Sequence, residues 1–214
     1  MAYYQGNSYR RNSFYDNIPP VTRNLLIINV GVFLACLLIK PLEFYLALFN
    51  YDSGYFNIYQ LVTYMFAHAS FEHIFFNMFA LFMFGGVLEN YWGQKRFLTY
   101  YMVTGIGAGL IQLLVFYLQG ITYPVPTVGA SGAIFGLLLA FGMLFPNTPL
   151  FLMFVPIPIK AKYMVIGYGL IEFFFGVANR SSDNVAHFAH LGGMLFGILL
   201  ILYWRKKRNI FNFR

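Results

Sequence analysis

Ser131 and His190 are the two residues of this sequence whose chemistry and placement point to catalysis. Ser131 stands in the run Thr-Val-Gly-Ala-Ser-Gly at the start of one apolar segment, and His190 lies near the start of another. A serine hydroxyl becomes a nucleophile when an imidazole within hydrogen-bond reach takes its proton. The pair therefore predicts hydrolysis by a nucleophilic serine, provided that the two segments pack side by side.

The composition of the chain is that of an integral membrane protein. Of its 214 residues 59% are hydrophobic and only 10% are charged, and the mean hydropathy is +0.63. A soluble domain of this size has too little interior to bury so much apolar surface. The net charge of +7 comes from basic residues between and beyond the apolar segments, so it indicates membrane orientation and no nucleic-acid partner. The one cysteine, Cys36, excludes an intrachain disulfide.

Six apolar segments are predicted to be membrane-spanning helices. They cover residues 24–39, 70–88, 97–118, 131–145, 163–177 and 184–203. A spanning helix needs roughly 20 apolar residues, so the first, fourth and fifth are expected to be short or tilted. The aromatic segment 41–69 is expected to lie at the membrane interface, and Pro156 and Pro158 favour a loop over 150–159.

The sequence thus predicts an all-α membrane protein in three parts. These are a polar tail over residues 1–20 without a cleavable signal peptide, a six-helix domain over 21–204 and a basic tail over 205–214. With the amino terminus inside, twelve Lys and Arg residues fall in inner segments and two, Lys40 and Arg180, in outer ones. Because basic residues concentrate on the cytoplasmic side, both termini are predicted to face the cytoplasm.

Ser131, His190 and Asn77 are predicted to lie at comparable depth below the outer face. The fourth helix ends before a proline, and a rise of about 1.5 Å per residue places Ser131 on the order of 10 Å below the outer edge of the hydrocarbon core. Asp183 and Ser70 are predicted N-caps, and they stand seven residues before His190 and Asn77. That spacing gives both side chains a depth similar to that of the serine.

Polar side chains at this depth must face the bundle interior or a water-filled cavity. Gly132 and Gly136 form a ridge of small residues on the fourth helix, and Gly193 and Gly197 form another on the sixth. Such ridges allow helix backbones to approach closely. If the two ridges face each other, the serine hydroxyl and the imidazole come within hydrogen-bond reach.

Together these motifs resemble the rhomboid family of intramembrane serine proteases. The resemblance covers residues 24–203 and is carried by four motifs in order: His73-xxx-Asn77, Gly86-xx-Glu89-xxx-Gly93, Gly129-Ala130-Ser131-Gly132 and Ala189-His190-xx-Gly193-xxx-Gly197. It implies a six-span rhomboid-like bundle with a long interfacial first loop. It also implies cleavage of membrane-protein substrates near the outer face, in a multi-pass protein of a bacterial plasma membrane.

The resemblance further implies a role for each site residue. Ser131 would be the nucleophile and His190 the general base of a Ser–His dyad. The side chains of His73 and Asn77, with the backbone N–H of Ser131, would stabilise the oxyanion. No acid is expected as a third member, and no cofactor or metal is expected. Phe135 stands where some members have tyrosine, and its ring can still lie against His190.

Three further polar residues lie in apolar segments. Glu89, near the cytoplasmic end of the second, is expected to be a structural hydrogen-bond acceptor, and His187 is expected to be structural. Glu172 in the fifth segment is by default a functional hypothesis, because a carboxylate is costly within a membrane. It could equally be protonated, or be paired with a polar loop group.

Two other functions stay open at this stage. A non-catalytic rhomboid-like chaperone or binding protein would use the same fold to hold client helices, but the presence of both Ser131 and His190 argues against it. A transporter or channel would need a polar path through the membrane. The inner halves of the fourth and sixth segments offer only glycines, which argues against that function.

Overall fold

The chain folds into a bundle of helices with one short hairpin. The computed structural model describes residues 17–152, 155–178 and 186–211. The α-helices are α1 (Pro20–Leu38), α2 (Leu42–Leu46), α3 (Gln60–Thr63), α4 (Phe71–Ala80), α5 (Gly86–Trp92), α6 (Gln94–Leu118), α7 (Ser131–Leu144), α8 (Ala161–Ala178) and α9 (His187–Phe211). Strands β1 (Pro149–Leu152) and β2 (Val155–Lys160) pair antiparallel.

Within the described residues, five helical stretches are long and apolar enough to cross a membrane. They are Pro20–Leu38, Phe71–Trp92, Gln94–Leu118, Ala161–Ala178 and His187–Lys207. The fourth predicted segment forms α7, whose 14 residues rise only about 21 Å against a hydrocarbon core of about 30 Å. The predicted all-α membrane fold is confirmed. The orientation of the termini and the division into tails and domain stay predictions.

The second predicted span is one continuous helical stretch with an irregular centre. Helix α4 passes through a π-helical turn, Leu81–Gly85, into α5. At its start the Ser70 hydroxyl accepts a hydrogen bond from the backbone N–H of His73 at 3.1 Å. The predicted N-cap is therefore present, and it fixes the turn that carries His73. The other predicted cap, Asp183, lies outside the described residues.

Helix α6 is the most buried of the long helices and packs against α7 and α9. In the most apolar 18-residue stretch of α6, 44% of the residues are buried, against 17% in that of α1 and 22% in that of α8. Side chains could not be added at its interfaces with α7 and α9, because a Cβ on Gly107 would overlap the ring of Phe196 on α9, and a Cβ on Gly132 of α7 would overlap Ala108. Close packing without large side chains is how membrane helices associate. Helices α7 and α9 thus both pack closely on α6.

The predicted pairing of the two glycine ridges is half right. Gly193 does meet the fourth helix, because a Cβ built there would overlap the carbonyl of Gly132. Gly136 and Gly197, however, both lie nearest to α6: a Cβ on Gly136 would lie 2.7 Å from Thr104, and one on Gly197 would overlap the Tyr100 hydroxyl and lie 3.2 Å from Leu139 of α7. The reason is that α6 fills the space between the inner parts of α7 and α9.

The prediction of a loop over 150–159 is wrong, because the described residues of this stretch, 150–152 and 155–159, belong to strands β1 and β2. Phe151 pairs with Pro158 and Pro149 with Lys160. Proline disrupts a sheet when its missing N–H is needed by a neighbouring strand. A strand of a two-stranded hairpin has a free edge, so it tolerates proline on the side that faces no partner.

The segment between α1 and α4 is expected to be interfacial, and part of it is built into the core. Leu48 and Tyr64 are both buried. Leu48 bridges to Thr127 in both directions at 2.9 Å, and the Tyr64 hydroxyl donates to the carbonyl of Gly105 at 2.6 Å. This segment therefore braces the loop that leads into Ser131.

Candidate active site

Ser131 and His190 are joined by a hydrogen bond between neighbouring helices. Ser131 is the first residue of α7, and its Oγ lies 2.8 Å from Nε2 of His190 on α9. The imidazole is 8% exposed, whereas the serine is only partly buried. The hydroxyl is thus open to a ligand while the imidazole is shielded. A serine hydroxyl hydrogen-bonded to an imidazole is the nucleophile–base geometry required for attack on a carbonyl.

The backbone before Ser131 is held in a conformation that needs glycine. Gly129 has φ +124°, and its N–H donates to the carbonyl of Tyr64 at 2.9 Å. Its Cα is also approached closely, because a Cβ there would lie 2.6 Å from His73 Nε2 and 3.6 Å from Ser131 Oγ. The hydroxyl and the His73 ring therefore flank the same point above Gly129.

Two further sets of hydrogen-bond donors lie on the helices that carry Ser131 and His73. One is the start of α7, where the first N–H groups of a helix have no intrahelical acceptor and carry partial positive charge. The other is on α4, where Asn77 is buried and its Nδ2 donates to the carbonyl of His73 at 2.9 Å. An amide nitrogen has two hydrogens, and this bond uses one of them. The arrangement can supply donors to a developing oxyanion.

Phe135 holds the plane of the catalytic imidazole candidate. Its ring stacks on His190 with centroids 4.2 Å apart and an interplanar angle of 8°. Phe135 lies one turn after Ser131 on α7, so the same helix presents both the hydroxyl and the stacking surface. A phenyl ring is sufficient for this contact without a hydroxyl group.

The expectation that no acid stands beside His190 is wrong. Glu172 Oε2 lies 2.9 Å from His190 Nδ1 and 2.7 Å from His187 Nδ1. Glu172 is 7% exposed, and it is paired with two imidazoles and not with a loop group. These three side chains also place one potential metal-ligand atom each within 4.8 Å of one another.

A signal for this cluster was present in the sequence. His187 and His190 stand three residues apart, which puts them on one face of a helix. Glu172 lies on the preceding apolar segment, and a carboxylate there needs a partner. What the sequence did not supply was the rotation of α8 about its axis, because packing against other helices sets it.

His68 is a further buried imidazole close to the site. It precedes α4 and is 2% exposed, and its ring centroid lies 5.0 Å from that of His73. Its Nδ1 lies 3.3 Å from the carbonyl oxygen of Phe66. Burial, and then the neighbouring His73, lower the pKa of His68 to about 4.

Comparison with known proteins agrees with this architecture. The family model for the Rhomboid domain matches residues 55–207, which is more than half of the chain and includes all four candidate site residues. The chain belongs to the rhomboid family. It is a membrane protein of a family that contains intramembrane serine proteases.

Individual relatives extend the similarity along most of the chain. Rhomboid protein 1, mitochondrial, of Saccharomyces cerevisiae is 30% identical over 95% of this chain and 60% of its own length. Rhomboid-like protein 11, chloroplastic, of Arabidopsis thaliana is 30% identical over 83% of this chain and 62% of its own. Rhomboid protease GluP of Bacillus subtilis is 34% identical over 65% of this chain and 24% of its own.

The chain therefore spans about 60% of the length of the first two relatives. Their names place those proteins in mitochondria and chloroplasts. The relatives support a multi-pass membrane protein, but they do not support the predicted bacterial plasma-membrane location.

Proposed function

We propose that this protein is an intramembrane serine protease that cleaves transmembrane substrates near the outer face of the membrane. The observation that carries the proposal is the 2.8 Å hydrogen bond between Ser131 Oγ and His190 Nε2. It joins a nucleophile to a base at the start of a helix too short to reach both membrane surfaces. A serine–imidazole pair in that position can attack a substrate carbonyl, whereas a packing contact cannot.

The first step forms a tetrahedral intermediate that is covalently bound to Ser131, and loss of the amine then turns it into an acyl-enzyme. Ser131 Oγ attacks the carbonyl carbon of the scissile peptide bond as His190 Nε2 takes the hydroxyl proton. The negative charge then develops on the former carbonyl oxygen. His73, Asn77 and the N–H of Ser131 would donate to that oxygen, and removing one such donor typically costs about 10²–10³ in rate.

The second half of the reaction regenerates the enzyme. The imidazolium gives its proton to the leaving amine nitrogen as the peptide C–N bond breaks. Water, activated by the now neutral His190, then attacks the ester carbon, and the serine leaves with a proton from the imidazole. Ser131 and His190 end the cycle in their starting protonation states, and one water is divided between the amine and the acid products, so the cycle needs no cofactor.

The proposal is tested by labelling with a fluorophosphonate probe and by cleavage of a model transmembrane substrate. Wild type is expected to be labelled and to cleave, whereas Ser131→Ala and His190→Ala lose cleavage by about 10⁴-fold or more while staying folded. The matched control is Ser53→Ala, because Ser53 lies in a short turn of the first loop and has no proposed chemical role.

Two outcomes would contradict the proposal. Cleavage by purified Ser131→Ala at the wild-type rate would exclude Ser131 as the nucleophile. A folded wild type that neither reacts with the probe nor cleaves any helical substrate, yet still binds one, would favour the non-catalytic binding protein.

A further inference from the structure

Glu172 occupies the position, on the far side of the imidazole from the serine, at which an acid can act on His190. Its Oε2 lies 2.9 Å from Nδ1 of His190, and Nε2 of the same ring lies 2.8 Å from Ser131 Oγ. We propose that Glu172 is a positioning residue that fixes the tautomer and orientation of His190, so that serine, imidazole and carboxylate act as a triad. This inference deepens the proposed protease function and rests on it.

The tautomer follows from the chemistry of the carboxylate. An ionised carboxylate can only accept hydrogen bonds, so the His190 nitrogen facing Glu172 must carry the hydrogen. The hydrogen on Nδ1 leaves a lone pair on Nε2. That lone pair faces the Ser131 hydroxyl, which is the form of the ring that can remove its proton.

The same contact stabilises the charge that forms during acylation. When the hydroxyl proton moves to Nε2, the ring becomes an imidazolium in a site where His190 is 8% exposed. A buried charge is costly unless it is paired and hydrogen-bonded. Glu172 supplies the opposite charge through a bond that already exists, so no rearrangement is needed as the charge appears.

His187 holds the carboxylate in place. Its Nδ1 lies 2.7 Å from the same oxygen of Glu172, and its ring stacks on Phe175 with centroids 5.7 Å apart. One donor comes from each of two successive turns on the same face of α9, so the carboxylate is bonded to that helix at two points. We therefore assign His187 to the positioning of Glu172 and not to chemistry.

The matched substitutions are Glu172→Gln and Glu89→Gln. Both remove the charge of a buried glutamate at nearly constant volume, but Glu89 lies at the junction of α5 with α1, where its carboxylate accepts from Val21 and Thr22. Glu172→Gln is expected to lower kcat by about 10²–10⁴-fold with KM within about threefold of wild type. Glu89→Gln is expected to keep kcat within about threefold and to lower the thermal midpoint.

A measurement on the unmutated protein tests the inference without using activity. With ¹⁵N-labelled histidine at about pH 8, where an ordinary imidazole is neutral, NMR distinguishes a nitrogen that carries hydrogen from one that does not. His190, assigned by loss of its signals in His190→Gln, is expected to carry hydrogen on Nδ1 and none on Nε2. In Glu172→Gln the two tautomers are expected to mix, because a neutral amide can both donate and accept.

The outcomes separate this inference from the proposed function. One outcome is that the probe labels wild type, Ser131→Ala does not cleave and Glu172→Gln cleaves within threefold of wild type. The positioning role is then wrong, and the proposed protease function is supported. Hydrogen on Nε2 of His190 in wild type would also overturn the positioning role. Loss of wild-type activity on chelation, restored by added Zn²⁺, would assign the cluster to a metal ion and would equally overturn it.

Discussion

Two buried glutamates, Glu89 and Glu172, show how the partner of a charge decides what the charge does. Glu89 is 2% exposed and accepts from the N–H groups of Val21 and Thr22 at 2.9 and 2.7 Å and from the Thr22 hydroxyl at 2.8 Å. Glu172 is 7% exposed and accepts from two imidazoles. The burial is similar, but only the second set of partners consists of imidazoles, which can accept a proton during a reaction.

Glu89 caps the amino terminus of α1 from another helix, because its carboxylate accepts from the first N–H groups of α1. Helix α1 begins after Pro19, which provides no side-chain cap. The carboxylate instead comes from α5, and a negative charge at a helix amino terminus is favourable. The prediction that Glu89 is a structural hydrogen-bond acceptor is confirmed. Burial alone would not have distinguished it from Glu172.

Among changes outside the serine, the histidines and the carboxylates, the largest effect is expected from Gly193→Val, which displaces the serine from the imidazole. The new side chain would collide with the Gly132 carbonyl and push α9 from α7. A displacement of about 1 Å between nucleophile and base can cost about 10²-fold in rate. Cleavage kinetics of the purified variant measure this loss.

Gly120→Val is the control for Gly193→Val, because a Cβ at position 120 would meet nothing within 4 Å, although its φ of +65° adds local strain. Wild-type turnover in Gly193→Val would show that the α7–α9 contact does not set the distance between the serine and the imidazole.

The next effect tests Glu89 as a structural residue. Glu89→Ala leaves the N–H groups of Val21 and Thr22 without their acceptor, and each unsatisfied buried group costs about 1–3 kcal/mol. We expect a clear fall in the free energy of unfolding, measured by thermal denaturation in detergent, with kcat unchanged at temperatures where the protein is folded. A fall in kcat comparable to that of Glu172→Ala would remove the distinction between the two glutamates.

His68 extends the comparison to a buried group that has to stay neutral. Its pKa of about 4 lies below the ordinary value of about 6.5, so between these pH values the unfolded chain binds the proton that the folded protein does not. The contribution of His68 to the free energy of unfolding is therefore complete above about pH 6.5. It falls by up to about 3 kcal/mol as the pH is lowered towards 4.

Unfolding at a series of pH values measures this slope, and His68→Gln is the control because glutamine does not titrate. An equal slope in the variant would assign the pH dependence to other groups.

The smallest effect concerns the lipid-facing side of α8, the helix that carries Glu172. Phe174 is 66% exposed, and a bulky ring there can restrict sideways entry of a substrate helix. Phe174→Ala is expected to raise cleavage of a helical substrate several-fold, because substrate-gating elements often limit turnover.

Phe151→Ala is the matched control for Phe174→Ala, because Phe151 is equally exposed at 66% but lies on β1. If both variants cleave at the wild-type rate, the α8 rings are only lipid-facing surface.

Much of the fold could be read from the sequence because hydropathy and turn residues act locally. The apolar segments form helices, and the Ser70 cap is where the sequence places it. The start of α7 at Ser131 follows from a glycine that must adopt positive φ just before it. The β1–β2 hairpin was missed because the effect of proline on a strand depends on which side needs hydrogen bonds.

By itself the sequence determined which residues could do chemistry and how deep each lies along its own helix, since both follow from side-chain type and a fixed rise per residue. Only the tertiary structure decided how each helix is rotated about its axis and which other helices it packs against. That is why Gly136 faces Thr104 on α6 and why Glu172 meets both His187 and His190. Rotation is set by packing summed over many contacts between helices distant in sequence, and no local pattern encodes that sum.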